Sequence, residues 1–299
     1  MKKLSRHQAG LAFLWSLSLL VGWRPLAAAF TLAWRDDQFT HILLILPISA
    51  ALIFMERRQL ASRVSLSARS GSAILALSAL IALFAWGGPQ WVTPDVRLSA
   101  GMLSLVVWWI GAFQLCLGSR ASRLVLFPLC FLFGVVPFPQ FVLDVVIAQL
   151  QLGSAWAAHL LFAASGVPVA QDGILLTIPG LTLQVAEECS SIRSSLMLLV
   201  TTLVVAHLLL RSPWRKLVVV ALAVPLSVAK NGLRIYTLGM LATRVDPDYL
   251  TGRLHHQGGI LFFAAALLCV FALLWILRRG ENPPPTSSLR LAQATAKQD

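Results

Sequence analysis

Long apolar runs separated by short basic clusters constrain this chain more than any other feature. Leu11–Phe30, Ser72–Gly88, Leu98–Leu117 and Gly258–Leu277 are each long enough to cross a bilayer, which takes roughly 17–25 helical residues. Within hydrocarbon every backbone N–H and C=O must be satisfied inside the segment, so such runs fold as helices. Only 12% of the 299 residues are charged, about half the share of a soluble domain. The expected class is an all-α integral membrane protein with about eight transmembrane helices.

The formal charge of +12 would suit a nucleic-acid partner, but its distribution excludes one. The bases stand in groups between apolar runs: Lys2, Lys3 and Arg6; Arg57, Arg58, Arg63 and Arg69; Arg120 and Arg123; Arg211, Arg215 and Lys216; Arg278 and Arg279. Neutral or acidic loops alternate with them, as the positive-inside rule requires. A nucleic-acid binder needs a contiguous basic surface with groove-reading or stacking elements. This pattern instead puts both chain ends in the cytoplasm of a multi-pass inner-membrane protein.

The layout follows. Span one covers about Gly10–Ala33, broken at Arg24-Pro25; its basic start and Ala27-Ala28-Ala29 also suit a signal peptide, but its length favours an uncleaved span. His41–Met55, Ser72–Gly88 and Leu98–Leu117 follow, then a fifth span from Leu124 to about Phe138-Pro139. An extracytoplasmic insertion of about 139–188 comes next. Within it Asp144–Ser165 reads as an interfacial helix, with Gln149, Gln151 and His159 opposite an apolar face. Gly166–Val185, punctuated by Asp172-Gly173 and Pro179-Gly180, reads as a small β-hairpin. Spans six to eight are Ser190–Leu210, Leu217–Leu241 and Gly258–Leu277. Residues 1–279 form the polytopic domain, and 280–299, with Pro283-Pro284-Pro285, a disordered cytoplasmic tail.

Polar groups at the borders of apolar spans are costly and need an account. They gather in Glu187-Glu188-Cys189-Ser190-Ser191-Ile192-Arg193, in Lys230-Asn231-Gly232-Leu233-Arg234, and in His255-His256-Gln257-Gly258-Gly259. The layout brings all three to the outer face. Of the four cysteines, Cys116, Cys130 and Cys269 lie in apolar runs and behave as small hydrophobes; Cys189 alone has polar neighbours. A thiolate attacks acyl carbon, and its pKa falls beside a cation or a helix N-terminus. An imidazole moves the proton near neutrality, and arginine stays charged to hold an oxyanion. Arg193 is one turn beyond Cys189, and Asn231 shares a face with Arg234. The residues alone leave blander readings open: an inert packed thiol, a snorkelling arginine, and a hydrated or metal-binding histidine pair.

Val185-Ala186-Glu187-Glu188-Cys189-Ser190, then Asn231-Gly232-Leu233-Arg234-Ile235, then His255 ahead of Gly258-Gly259 resembles the exosortase/archaeosortase family. Thr40-His41, Pro128, Pro137-Phe138-Pro139 and Gly166-Val167-Pro168 are similar too, so the likeness covers roughly residues 35–277. The resemblance implies a membrane cysteine protease/transpeptidase with Cys189 as nucleophile, His255 as acid or base and Arg234 as transition-state stabiliser. Its substrates would be C-terminally anchored proteins with a Pro-Glu-Pro-like motif, a membrane helix and a basic tail. They would pass to a lipid- or glycan-type acceptor at the cell surface, often alongside exopolysaccharide production. No cofactor or metal is expected, and membrane lipids surround the chain. Two features depart from the family: Ser191 stands where glycine is common, and His256 offers a second imidazole, though the spacing of His255 to Gly259 fits better. Asn231, Arg193 and Glu187 are further site candidates. The alternative is a non-enzymatic transporter or structural component of polysaccharide or lipid export, with Lys230 and Arg234 holding an anion.

Overall fold

The computed structural model describes residues 2–64, 68–185, 192–246 and 259–281. Among these, seven helices are long and apolar enough to cross a membrane, or eight when one bent pair counts as a single span. The chain divides into two compact units, Met1–Gln149 and Leu150–Asp299.

The first unit holds α1 (Lys2–Val21), α2 (Trp23–Arg35), α3 (Ile42–Met55), α4 (Arg57–Ser62), α5 (Ala68–Gly87), α6 (Pro94–Leu124), α7 (Leu126–Phe131) and the start of α8 (Gln140–Ala164). Small residues let its helices approach closely, the usual means of helix packing in lipid. A Cβ on Gly71 of α5 would lie 2.5 Å from the Leu115 Cα of α6, and Ser78 donates to the Ser104 carbonyl at 2.8 Å. Trp109 Nε1 donates to Ser18 Oγ at 2.8 Å and fixes α1 on α6. α1 and α2 meet at a 72° bend. The break falls at Gly22, not at the expected Arg24-Pro25. Proline in a first helical turn forfeits no hydrogen bond, whereas Gly22 is buried where a Cβ would meet Leu105 at 2.3 Å.

The expected fifth span is not a continuous helix. α7 gives way to a 3₁₀ segment, Leu132–Val135, and then to extended backbone at Val136. Ser99 nevertheless donates to the Pro137 carbonyl at 2.7 Å, and Asp95 accepts from Gln140 N at 2.8 Å. The segment that leaves the last turn of α6 therefore returns to its first turns. Mixed α, 3₁₀ and extended rises carry these few residues about 30 Å.

The second unit holds the rest of α8, strands β1 (Ala170–Asp172), β2 (Leu175–Ile178) and β3 (Leu181–Gln184), and helices α9 (Ile192–Leu209), α10 (Pro213–Arg244) and α11 (Gly259–Arg279). The strands form an antiparallel meander, Asp172 opposite Leu175 and Ile178 opposite Leu181. This adds a third strand to the expected hairpin. Gly173 and Gly180 take positive φ of 58° and 80° in its two turns, conformations that L side chains disfavour. Leu176 and Ile178 alternate inward onto Phe162 of α8 and Ile235 of α10.

α8 is long and apolar enough to cross a membrane, and one of its faces packs along α10. Gly153 lies against Val228, Ser154 bonds Asn231, and Gly232 lies against Ala157, so the contacts advance in step along both helices. Gln151, opposite the expected apolar face, donates to the Val185 carbonyl at 2.9 Å. A stripe of small residues decides how this helix packs.

Candidate functional site

Along α10, Ser227, Lys230, Asn231 and Arg234 are all buried, the last three at 7%, 2% and 9% exposure. Spacings of three and four put them on one helical face. Buried polar groups need partners, and small polar side chains of neighbouring helices supply them. Ser227 Oγ donates to Ser195 Oγ of α9 at 2.6 Å, and Lys230 Nζ donates to Ser194 Oγ. Asn231 Nδ2 donates to Ser154 Oγ of α8 at 3.0 Å. Asn231 Oδ1 is buried without a hydrogen bond among the described residues.

The glycine in Asn231-Gly232 sets the depth of this packing. A Cβ at Gly232 would come within 2.5 Å of Ala157 Cβ and 3.0 Å of Ala158 N, far inside ordinary contact. Arg234 faces the first turn of α11, where a Cβ on Gly259 would lie 4.0 Å from its Nη1. One residue further along α10, Ile235 shares an apolar cluster with Val185, the last residue described after the sheet. Tyr236 meets the Phe162 ring edge-on at 5.0 Å between centroids, and Met240 packs on the same cluster. The sheet thus caps the α8–α10 pair beside Arg234.

Of the residues singled out from sequence, the structure brings Lys230, Asn231 and Arg234 into one buried stripe. Arg193 is exposed at the start of α9, next to Ser194. Cys189, Glu187, Glu188, His255 and His256 lie outside the described residues. Sequence reasoning missed Ser154, Ser194, Ser195 and Ser227. The signal was present for Ser227, which precedes Asn231 and Arg234 at helical spacing, and absent for Ser154, which only tertiary packing makes a partner.

The opposite end of the second unit is basic and tightly tied. Arg215 donates to the Leu277 and Gly280 carbonyls at 2.6 Å each, an arginine neutralising a helix C-terminus. Glu281 accepts from Arg211 N at 3.0 Å and Ser212 N at 2.9 Å. Those backbone donors, the Ser212 N–H foremost, hold its carboxyl below the ordinary glutamate value. About 28 Å of α10 separates Arg215 from Arg234 at roughly 1.5 Å per residue, close to the thickness of a hydrocarbon core.

The family model described as transmembrane exosortase (Exosortase_EpsH) matches residues 33–272. No curated protein and no solved structure matches the chain. The matched span contains the buried stripe of α10, the α8 and α9 residues that bond it and the start of α11. The chain therefore belongs to the transmembrane exosortase family, whose members are membrane transpeptidases in general.

Proposed function

We propose that the protein is a membrane-embedded cysteine transpeptidase that cleaves a C-terminal sorting signal and transfers the released protein to a surface acceptor. One observation carries the reading: the described flanks of the Cys189 and His255 segments meet the stretch of α10 from Lys230 to Ile235. Val185 packs with Ile235, Ser194 bonds Lys230, and Gly259 opens α11 within reach of the Arg234 guanidinium. Arg234 lies about 28 Å along α10 from the basic end at Arg215, and the positive-inside rule favours the periplasmic side for a site there.

In this reading the Cys189 thiolate adds to the scissile carbonyl carbon. Arg234 holds the resulting oxyanion, and His255 gives its proton to the departing amine as the C–N bond breaks. A thioester remains. The acceptor then loses its proton to His255 and attacks the thioester carbon, and the Cys189 thiolate leaves. Asn231, with one amide end fixed by Ser154, is a positioning residue, and the sheet around Asp172 shelters the substrate motif. Substrates are C-terminally anchored proteins carrying a Pro-Glu-Pro-like motif, a membrane helix and a basic tail, and the acceptor is of lipid or glycan type.

The test is the size of such a substrate in cells expressing wild type, Cys189→Ala, Arg234→Ala or His255→Ala at equal levels. Loss of processing in all three is expected. Normal processing by Cys189→Ala overturns the reading in favour of transport.

A further inference from the structure

In the first unit α1 and α5 both pack on α6, and a cleft of about 310 Å³ lies between them. Its wall includes Ser18, Gly22, Ala82, Leu83, Ser104 and Trp108. The serine hydroxyls and the Trp108 indole N–H in that wall are spent inside the protein. Ser18 donates to the Trp15 carbonyl, Ser78 to the Ser104 carbonyl, Ser104 to the Gly101 carbonyl, and Trp108 Nε1 to the Leu14 carbonyl. Such a space offers an occupant only apolar contact and holds water poorly. It has room for about ten groups of roughly 30 Å³, a large part of an acyl chain.

At the end remote from Arg120 and Arg123 the cleft adjoins a wider vestibule of about 680 Å³. The two spaces share Val21, Pro25, Trp86 and Gly101 as lining. The vestibule is rimmed by two cations of different character. Arg24 is exposed, its guanidinium 5.7 Å from the Trp23 ring centre. Arg97 is fixed, donating to the Val92, Gly88 and Pro89 carbonyls at 3.2, 3.1 and 2.8 Å. Trp23 and Trp86, both more than half exposed, mark this rim as the level where aromatic side chains meet headgroups.

We infer that this groove is a binding site for one anionic phospholipid, with an acyl chain in the cleft and the phosphate at Arg24 and Arg97. The charge pattern selects the headgroup. A zwitterionic lipid would bring an ammonium group up to two guanidiniums, whereas phosphatidylglycerol brings only negative charge. The inference rests on the first unit alone and does not depend on the chemistry proposed for the second.

The test uses the full chain in nanodiscs with chain-labelled phosphatidylglycerol or phosphatidylcholine, reading the motionally restricted fraction by electron spin resonance. Wild type is expected to prefer phosphatidylglycerol, by about five-fold for each cation engaged. Arg24→Gln, at an exposed position, should lower that preference about five-fold and leave phosphatidylcholine unaffected. Ala82→Phe, which fills the cleft, should remove restricted phosphatidylglycerol, with an unchanged melting midpoint as the folding control. Equal retention of the two lipids by wild type would mean ordinary boundary lipid and overturn the inference. A preference lost in Arg120→Gln but kept in Arg24→Gln would also overturn it, by moving the site to the other end of α6.

Discussion

Replacing Gly232 by alanine tests whether the close approach of α8 and α10 holds the buried stripe in place. The new methyl would lie 2.5 Å from Ala157 Cβ, 3.0 Å from Ala158 N and 3.1 Å from Ala157 C. Two of these three atoms are backbone, so no rotamer change relieves the clash and the helices must part by about 1 Å, an overpacking cost of roughly 1–3 kcal/mol. Alanine returns up to about 1 kcal/mol of helix propensity. The Asn231–Ser154 bond, now 3.0 Å, would stretch past hydrogen-bonding range, leaving buried polar atoms unpaired at about 1–3 kcal/mol. The net expectation is a loss of about 1–4 kcal/mol. An ångström of misplacement at Arg234 would slow substrate processing by up to about 100-fold. Thermal unfolding in detergent and the in-cell processing assay read the two effects separately. Ala157→Gly removes the nearest of the three atoms, so the double variant should recover part of both. A Gly232→Ala protein that melts and processes like wild type would refute the packing argument.

Three further outcomes are expected. Arg234→Lys keeps the charge but loses the planar fork of donors, and the first-order processing rate should fall about 10²–10³-fold with an unchanged melting midpoint. Because the folded Glu281 carboxyl titrates below its ordinary value of 4.5, its clasp on Arg211 and Ser212 contributes fully above that value and is lost as pH falls through the lowered one. Rate-corrected hydrogen exchange of residues 211–216 should therefore accelerate only on acidification below pH 4.5, and Glu281→Gln should remove that pH dependence. Gly71→Val should destabilise by about 1–3 kcal/mol or more, since its Cβ would meet Leu115 backbone at 2.5 Å. Gly87→Ala in the same helix meets nothing within 4 Å and should leave the melting midpoint unlowered.

The elements legible in the sequence were those set by hydropathy alone. α5, α6, α10 and α11 lie where apolar runs bounded by arginines put them, because the bilayer prices every polar atom in those runs. What stayed hidden was decided by shape. α8 was read from its polar and apolar faces, but Gly153, Ser154, Ala157 and Ala158 let a neighbouring helix approach, and Gln151 became an internal donor. Gly22 hides among apolar residues as a chain break, because only its contact with Leu105 reveals why a Cβ is excluded. The missing third strand, Leu181–Gln184, looks like the approach to span six until β2 gives it a partner. Arg234 and Asn231 were readable as candidates because charge and amide in an apolar run require a reason. Their serine partners on two other helices were not, since a serine in a span is ordinary.

The energetics of that stripe bear on what it is for. Lys230 and Arg234 sit one turn apart on the same face of α10, both buried, and like charges at that spacing repel. Burying either one is unfavourable, and the hydrogen bond from Lys230 to Ser194 softens the cost. A bundle selected for stability alone would be better served by leucine at both positions. Negative charge arriving between the helices reverses this balance, because a preorganised cationic environment needs no rearrangement to stabilise it. A ground-state peptide carbonyl brings little charge, whereas a tetrahedral oxyanion brings a full one. In the reaction proposed above, the field at Arg234 would favour the transition state of acyl transfer over its substrate, the differential binding that accelerates a reaction.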